Sequence, residues 1–311
     1  MKFKNVLRSA AAVTFALSTQ AFAGDRIVGG ETVRAGDPIK SSTVLIVGQV
    51  GPHEQFICTG SLIDRDTIVT AAHCVAENLN APIDPKNMVL IFGLSAPKTA
   101  AEAKQTPMVQ VAGYKYAPGW KGAPTGKEQG GDTHDIAIIH FDGELPPGYA
   151  PATVIGQNVP LKQGVEVTLA GYGIDTTVKS PADPDQGAGI LRKVSGVTVA
   201  GAASQNEIVV QRKAGVSCQG DSGGPAFVDF NGKSYLWGVT SRGDAKCEMG
   251  IYTFIPAYAD FINQAANSLR SSSASENAGM AAAQRGFDRQ RRTSEWAQET
   301  AGMMGSSLTA E

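Results

Sequence analysis

The feature that most constrains the fold is a succession of short strand-like runs between Thr43 and Phe254. Each run is rich in β-branched or aromatic residues, and the runs are separated by Gly, Pro, Asp and Asn, which are typical of turns. The clearest runs are 44–47, 67–70, 88–92, 136–139, 165–169, 197–199, 208–210, 236–239 and 251–254. Because no long helical pattern lies between them, the sequence favours antiparallel barrels or sandwiches over parallel βαβ units.

A polar, proline-rich interval at residues 142–148 divides this region near its middle, so two β subdomains would fit. The composition, 42% hydrophobic and 18% charged, is that of a globular protein and excludes disorder throughout the chain. The formal net charge of -2 provides no general attraction to nucleic acid or to an anionic membrane.

After the last strand-like run the apolar period changes from two to 3.6, which predicts one terminal helix that packs on the β structure. Pro256 stands at a helix-start position. The apolar face of this helix consists of Tyr258, Phe261, Ile262, Ala265 and Leu269. Beyond Leu269 the chain is rich in Ser, Ala, Gly, Gln and Arg, so residues 270–311 are expected to be a flexible or removable tail. The alternative is a docking or anchoring segment.

The first residues have the pattern of a secretory signal peptide. A basic start is followed by an uncharged run from Ser9 to Gly24, and Ala21-Phe22-Ala23 supplies small residues for cleavage after Ala23. This run is shorter than the ~20 residues of a membrane-spanning helix, and no comparable run follows. We therefore expect a secreted protein, extracellular or periplasmic, without a membrane span. The short, Ala-rich form of the signal resembles those of bacteria.

The four cysteines are Cys58, Cys74, Cys218 and Cys247. In an oxidising compartment an even number favours two disulfides, and four cysteines allow three pairings. Neither close pair has the CxxC spacing of a zinc site, so no metal is expected.

Three segments carry residues suited to nucleophilic chemistry: Thr70–Cys74 with His73, the run that begins at Asp135, and Gly220–Pro225 with Ser222. Each is weak alone. In the order His, Asp, Ser they match a hydrolase in which serine attacks a carbonyl.

With these motifs, and with Arg26-Ile27-Val28-Gly29-Gly30 near the start, the chain from Ile27 to about Leu269 resembles the trypsin/chymotrypsin family of serine endopeptidases. The resemblance implies an all-β fold of two antiparallel six-stranded β-barrels with a C-terminal helix. The expected division is a signal peptide (1–23), a propeptide (24–26), barrel one (about 27–142), barrel two (about 149–256), the helix (about 257–269) and the tail (270–311).

The resemblance implies an endopeptidase that works through an acyl-enzyme. Ser222 is the implied nucleophile, His73 its general base, and Asp135 the carboxylate that orients the imidazole. The backbone N–H groups of Gly220 and Ser222 are the implied oxyanion donors.

The resemblance also implies activation by cleavage after Arg26. The new ammonium of Ile27 would pair with Asp221 and order the oxyanion turn. By the same resemblance Cys58 bonds Cys74, and Cys218 bonds Cys247.

The family's specificity pocket places Val216 at the floor, so an apolar side chain is expected before the scissile bond (P1). The other substrate-binding residues implied are Ser217, Gln219, Ser241, Arg242, Gly243 and Gly250. Two departures from the family pattern leave basic specificity open, since Glu248 or Asp244 could lean into the pocket. The stretch Glu248-Met249 between Cys247 and Gly250 is shorter than usual. Arg242 replaces the aromatic residue usual at its position.

The expected partners are protein or peptide substrates and an activating protease, and the expected state is a monomer without a cofactor. His53, His134 and His140 lack the catalytic flanking motif and are expected on loops or at the surface. The competing hypothesis is a protease-like binding protein without catalysis. The retained His73, Asp135 and Ser222 favour the enzyme.

Overall fold

A computed structural model of the protein describes residues 30–51, 54–76, 81–122, 131–157, 161–175 and 187–280, with no side-chain description for 276–280. The expected signal peptide and propeptide, Ile27, His53 and the tail from residue 281 onward lie outside the described residues.

The described part of the chain forms short strands and two α-helices. In chain order they are β1 (Glu31–Thr32), β2 (Thr43–Gly51), β3 (Glu54–Asp64), β4 (Thr67–Thr70), β5 (Met88–Ile91), α1 (Ala100–Gln105), β6 (Met108–Tyr116), β7 (Ala137–Phe141), β8 (Glu166–Gly171), β9 (Arg192–Ala202), β10 (Glu207–Gln211), β11 (Pro225–Phe230), β12 (Lys233–Gly243), β13 (Met249–Phe254) and α2 (Ala259–Met280).

Strands β2 to β7 close into barrel one, in the order β2-β3-β4-β7-β6-β5, with antiparallel neighbours. Strand β2 is buried on both faces. Its residues Val44 and Ile46 point into the barrel core, whereas Leu45 and Val47 pack toward Tyr172 of the other half of the chain. This double burial explains why β2 reads as a continuous apolar run rather than an alternating one.

Strands β8 to β13 form barrel two. The order β9-β10-β13-β12-β11-β8 is closed by antiparallel pairing of β8 with β9, and β1 adds to the outer edge of β9. The barrel interior holds a cluster that includes Val167, Leu169, Val197 and Trp237. The structure thus confirms the two six-stranded antiparallel barrels.

A third apolar cluster lies where the barrels meet and joins Leu45 and Ile57 of barrel one to Tyr172 and Leu191. The Tyr172 hydroxyl donates to the carbonyl of Gly93 over 2.6 Å, so the one polar end of this ring is bonded across the same junction. The junction fixes the two barrels against each other and so fixes the segments that border the cleft between them.

The predicted terminal helix is present and longer than expected. It follows a 3-10 turn that begins at Ile255 and includes Pro256, and it packs against β6 and β7. It continues past Leu269 to Met280, because Arg270 bonds Asp66 in barrel one and thereby holds the next turn against the body of the protein. In the described part of the chain, no helix has the length and the apolar content needed to cross a membrane.

Candidate active site

His73 lies on a 3-10 turn, Ala72–Cys74, that directly follows β4. Its backbone N–H donates to Oδ1 of Asp135 over 3.0 Å, and its ring Nδ1 lies 2.8 Å from Oδ2 of the same carboxylate. The His73 side chain is 20% exposed. Two contacts to one carboxylate fix both the position and the tilt of the ring.

Asp135 stands before β7 and is 2% exposed. Burial raises the pKa of its carboxyl, but the charge of His73 and the hydrogen bonds from His73 and Ser241 outweigh burial and hold the pKa below its ordinary value. The Ser241 hydroxyl donates to Oδ2 over 2.7 Å. The carboxylate is therefore ionised at neutral pH, which favours a proton on Nδ1 of His73 and leaves Nε2 as an acceptor.

Ser222 lies in the turn that leads into β11 and is held on two sides. Its carbonyl accepts the N–H of Thr59 over 2.8 Å, and the next residue, Gly223, donates to the carbonyl of Thr240 over 2.8 Å. Cys74, which follows His73, places its Sγ 3.6 Å from the Ser222 carbonyl. The segments of His73, Asp135 and Ser222, far apart in sequence, thus border one cleft.

Two glycines allow the Ser222 turn to pack this closely. Gly223 has a φ of +79°, and a Cβ there would lie 2.0 Å from Oγ1 of Thr70. Gly220 has a φ of +85°, and a Cβ there would lie 2.9 Å from Cα of Gly173. Any other residue would strain the backbone and push the turn off barrel one.

The backbone N–H groups of Gly220 and Ser222 donate to no acceptor within the described residues. The Gly220 carbonyl is engaged instead, because it accepts the Thr59 hydroxyl over 3.2 Å. The two N–H groups belong to the peptide units of the Gln219 and Asp221 carbonyls, which accept the N–H groups of Ile174 and Gly224 over 2.8 Å each. The orientation of both peptide units is thereby fixed, and their N–H groups are available for a developing oxyanion.

Asp221 is completely buried behind this turn. Its Oδ1 accepts the N–H of Gly173 over 2.8 Å, and its Oδ2 accepts the N–H of Cys218 over 2.9 Å. Burial raises the pKa of this carboxyl to about 6, although both N–H groups and the charge of Arg192 oppose that rise. Its expected partner, Ile27, lies outside the described residues.

A cavity of about 520 Å³ opens beside Ser222, where the specificity pocket is expected. The described residues that line it are Ile174, Ser217, Cys218, Gln219, Ser222, Thr240, Ser241, Arg242, Gly243, Asp244, Ala245 and Cys247. Two predicted substrate-binding residues, Val216 and Gly250, are not among these lining residues. Val216, which precedes Ser217 in the sequence, is completely buried in the core of barrel two, and Gly250 of β13 pairs with Gly243 of β12. The Ser217 hydroxyl accepts a hydrogen bond from Tyr252 over 2.7 Å.

The two acidic residues that could alter this pocket have different surroundings. Oδ1 of Asp244 accepts the backbone N–H groups of Glu248 and Met249 over 2.8 and 3.0 Å. Glu248 itself is exposed. Of these two acidic residues, Asp244 is the one that lines the cavity. Its carboxylate is already hydrogen-bonded to the backbone of the loop between β12 and β13.

Arg242 lines the cavity and makes a buried ion pair. Its Nη1 and Nη2 donate to the two carboxylate oxygens of Glu207 over 2.7 and 2.8 Å. Sequence reasoning missed Glu207, which is one polar residue at the start of β10 with no motif around it. The burial of Glu207 depends on Arg242, which lies 35 residues further along the chain. Arg242 is also the residue that replaces the aromatic usual in the family.

Both disulfides that the resemblance implies are formed, Cys58–Cys74 beside His73 and Cys218–Cys247 across the cavity wall. The prediction that His140 lies on a loop or at the surface is wrong. His140 is buried on β7, and its Nδ1 lies 3.0 Å from the carbonyl oxygen of Asp66. Its burial follows from the pairing of β7 between β4 and β6, which sequence alone did not reveal.

A second cavity, of about 590 Å³, is lined by His73 and other residues of barrel one. Its apolar lining includes Val50, Phe56 and Ile83, and its acidic lining is Glu54 and Asp84.

Comparison with known proteins agrees with this geometry. A family model described as Trypsin matches residues 27–262. Phenoloxidase-activating factor 1 of Holotrichia diomphalia is 30% identical over 230 residues, which cover 67% of this chain and 61% of that protein. Urokinase-type plasminogen activator of Gallus gallus is 26% identical over 243 residues, which cover 70% of this chain and 52% of that protein.

Snake venom serine protease 3 of Protobothrops jerdonii is 27% identical over 218 residues, covering 66% of this chain and 76% of that protein. The chain spans less than two thirds of the beetle and chicken proteins. The family model, in contrast, covers most of this chain and includes both barrels. The chain therefore belongs to the trypsin family of serine proteases.

Proposed function

We propose that the protein is an active, secreted serine endopeptidase with His73, Asp135 and Ser222 as its catalytic triad. The observation that carries the proposal is the 2.8 Å contact between Nδ1 of His73 and the buried Asp135 carboxylate, in the cleft that Ser222 borders. A serine hydroxyl is a poor nucleophile at neutral pH and needs an imidazole of this kind to accept its proton.

In the acylation step, Oγ of Ser222 forms a bond to the carbonyl carbon of the scissile peptide while its proton passes to Nε2 of His73. The carbonyl π electrons move to oxygen, and that oxyanion accepts the N–H groups of Gly220 and Ser222. Asp135 stabilises the imidazolium without taking its proton. The tetrahedral intermediate then breaks the C–N bond, and the amine leaves with the proton from His73.

In the deacylation step, water replaces the amine. His73 accepts a proton from water as its oxygen attacks the ester carbonyl, and it returns that proton to Oγ of Ser222 when the C–O bond breaks. The products are a carboxylic acid and the free enzyme. Every proton is exchanged among His73, Ser222 and substrate, so the residues present complete the cycle.

For specificity we propose an apolar P1 side chain, such as Phe, Tyr, Leu or Met. The support is that Val216, which the family resemblance assigns to the pocket floor, is apolar and completely buried. A guanidinium placed against it would leave a buried charge without a partner. Asp244 at the cavity wall supports the alternative, a basic P1 residue, although its carboxylate already caps the Glu248 and Met249 N–H groups.

We further propose export after removal of residues 1–23 and activation by cleavage after Arg26, as a monomer that acts on proteins or peptides. The domain division expected from the sequence belongs to this proposal, except that the terminal helix extends to Met280. Since an apolar pocket would not accept Arg26, a different protease would perform the activating cut. Purified precursor incubated alone should keep its original N-terminus, and spontaneous appearance of Ile27 at the N-terminus would contradict this.

The activity itself is tested by labelling the processed protein with a fluorophosphonate, which reacts with an activated serine. We expect labelling and peptide hydrolysis, both abolished in Ser222→Ala. A protein that binds peptides but neither reacts with the probe nor hydrolyses any substrate would support the competing hypothesis of a non-catalytic binding protein.

The pocket is tested with a peptide library that varies only the P1 residue. The proposal expects the highest kcat/KM for large apolar residues, with little change in Asp244→Asn. A preference for Arg and Lys that disappears in Asp244→Asn would overturn it in favour of the Asp244 alternative.

A further inference from the structure

Glu207 is a carboxylate with no contact to solvent, at the first position of β10. Its charge is matched by Arg242, which approaches in the bidentate geometry of a guanidinium–carboxylate pair at 2.7 and 2.8 Å. Removing such charges from water is costly, so stability alone does not explain a buried pair of this kind.

The same carboxylate binds the segment that precedes the catalytic Asp135. Oε1 of Glu207 accepts the Thr133 hydroxyl over 2.7 Å and the Thr133 N–H over 3.1 Å. Arg242 binds this segment too, through the Thr133 hydroxyl at 3.1 Å and the Gly131 carbonyl at 3.3 Å. The ion pair in barrel two therefore holds residues 131–135 in place.

The residue before Glu207 adds a second attachment to this segment. The side-chain amide of Asn206 donates to Oδ2 of Asp132, whose Oδ1 accepts the N–H of His134 over 3.0 Å and the Tyr258 hydroxyl over 3.2 Å. One turn of barrel two thus binds the approach to Asp135 at two successive positions.

Arg242 also connects the pair to the strand on the other side of Asp135. It directly follows Ser241, whose hydroxyl bonds the Asp135 carboxylate, and Nη1 of Arg242 lies 3.4 Å from that hydroxyl. We propose that Glu207, through Arg242 and Thr133, is a positioning residue that fixes Asp135 and Ser241 relative to each other. This inference rests on the proposed peptidase function of the site.

The Glu207–Arg242 ion pair also affects the electrostatics of His73 and Asp135, because its two opposite charges cancel close to them. Neutralising Glu207 alone leaves the Arg242 cation, which disfavours protonation of His73; neutralising Arg242 alone leaves the Glu207 anion, which favours it. Within the described residues, the other charged or titratable groups facing this region include Asp132 and His134 before Asp135, Tyr258 bonded to both, and Glu54 and Asp84 in the cavity beside His73. They are the same in all variants.

The test uses the full chain processed after Arg26, as Glu207→Gln, Arg242→Gln and the double variant. The low-field NMR resonance of the His73 Nδ1 proton is followed against pH, together with kcat and KM for one peptide. We expect the pKa of His73 to fall by about half a pH unit in Glu207→Gln, to rise by about as much in Arg242→Gln, and to return in the double variant. We expect kcat to fall about tenfold in each single variant, with a smaller change in KM.

Two further variants separate charge, geometry and folding. Thr133→Val keeps both charges and removes only the hydroxyl, so kcat should fall while the pKa of His73 stays unchanged. Lys233→Gln removes a positive charge from the opposite, exposed end of β12 and should alter neither. If Glu207→Gln does not fold, Arg242→Gln and Thr133→Val still decide the matter.

An unchanged pKa of His73 in the folded single variants, with unchanged kcat, would overturn the proposal. The NMR titration does not depend on hydrolysis. A wild-type chain that hydrolyses no peptide while its His73 resonance still responds to Glu207 and Arg242 would refute the peptidase function and leave the positioning role intact.

Discussion

Ser241 donates a hydrogen bond to Oδ2 of Asp135 over 2.7 Å, so a residue of barrel two completes the surroundings of a carboxylate carried by barrel one. The same oxygen lies 2.8 Å from Nδ1 of His73. Because Asp135 is buried, each hydrogen bond to it replaces a water molecule that it would otherwise bind. The closure of the two barrels on each other is therefore a condition for an ionised Asp135.

We predict that Ser241→Ala lowers kcat of the processed enzyme about tenfold, because a charge-assisted hydrogen bond of about 1.5 kcal/mol is lost. With one hydrogen bond fewer, Asp135 interacts more strongly with His73, so the acid limb of the kcat/KM profile should move to higher pH. Steady-state kinetics from pH 5 to pH 9 measure both effects.

Thr253→Val is the matched control for that variant. Thr253 donates its hydroxyl to the backbone carbonyl of Asp135 over 2.9 Å and leaves the carboxylate untouched. It should lower the melting temperature without moving the acid limb. Equal movement of the acid limb in both variants would contradict the role assigned to Ser241.

The terminal helix offers a second prediction. Nε of Arg270 lies 3.0 Å from each carboxylate oxygen of Asp66, and Asp66 is buried. Burial raises the pKa of Asp66, but the hydrogen bonds from Arg270 and Thr67 and the charge of Arg270 outweigh it, so the pKa lies below its ordinary value. Arg270→Gln should lower the free energy of unfolding by about 2 kcal/mol at pH 7.

A carboxyl whose folded-state pKa is lowered stabilises the protein above its unfolded pKa, and that stabilisation is lost as the pH falls through the folded pKa. The effect of Arg270→Gln should therefore shrink below pH 4, which urea unfolding at pH 7 and at low pH would measure. Arg65→Gln is the control, because Arg65 lies 3.7 Å from the same carboxylate with 83% of its side chain exposed and should have little effect. Equal losses in the two variants would argue against the helix contact.

The sequence predicted the strands whose burial shows in their own composition, such as Val44–Val47 in β2 and Ile136–Ile139 at β7. It did not predict β3, where Gln55, Thr59 and Gly60 interrupt the apolar pattern although the strand is almost entirely buried. Thr59 is buried because its hydroxyl and N–H bind the turn of Ser222. A local pattern contains no record of such a distant partner.

The residues of the candidate site likewise include some that the sequence predicted and one that it did not. His73, Asp135 and Ser222 were predictable because each stands in a motif of several residues. Glu207 was not, since a single glutamate before Ile-Val-Val has the pattern of an exposed strand end. Only the long-range pairing of β10 with β13 and β9 brings it beneath Arg242 and away from solvent.

The proposed preference for an apolar P1 side chain leads to a third prediction. Val216→Asp should destabilise the protein by about 3 kcal/mol, because it buries an unpaired carboxylate. Benzamidine, whose amidinium can pair with that carboxylate, should raise the melting temperature of this variant. The substitution itself, without benzamidine, should confer hydrolysis after Arg or Lys. Thermal unfolding with and without benzamidine measures the first effect.

Val216→Asn is the matched control, since it has nearly the same size as the Asp variant and no charge. It should show neither benzamidine-dependent stabilisation nor a gain of basic specificity. If Val216→Asp responds to benzamidine no more than Val216→Asn, residue 216 does not form the floor of the pocket.

The last prediction concerns cleavage after Arg26. The direction of the expected change in the free energy of unfolding follows from the pKa of Asp221. In the structure this buried carboxyl has a pKa raised from 3.8 to about 6, mainly by burial. A raised folded-state pKa stabilises the protein below the unfolded pKa, and this stabilisation, about 3 kcal/mol, is lost as the pH rises through about 6. An ammonium at Ile27 would reverse the shift, since it favours the ionised carboxylate.

Cleavage after Arg26 should therefore raise the free energy of unfolding, and the gain should grow between pH 4 and pH 6 and then level off. Urea unfolding of the processed chain and of an uncleaved Arg26→Gln precursor, compared at each pH, measures the gain. In Asp221→Asn the gain should be small and independent of pH. If the wild-type gain is the same at pH 4 and pH 7, the new N-terminus does not pair with Asp221.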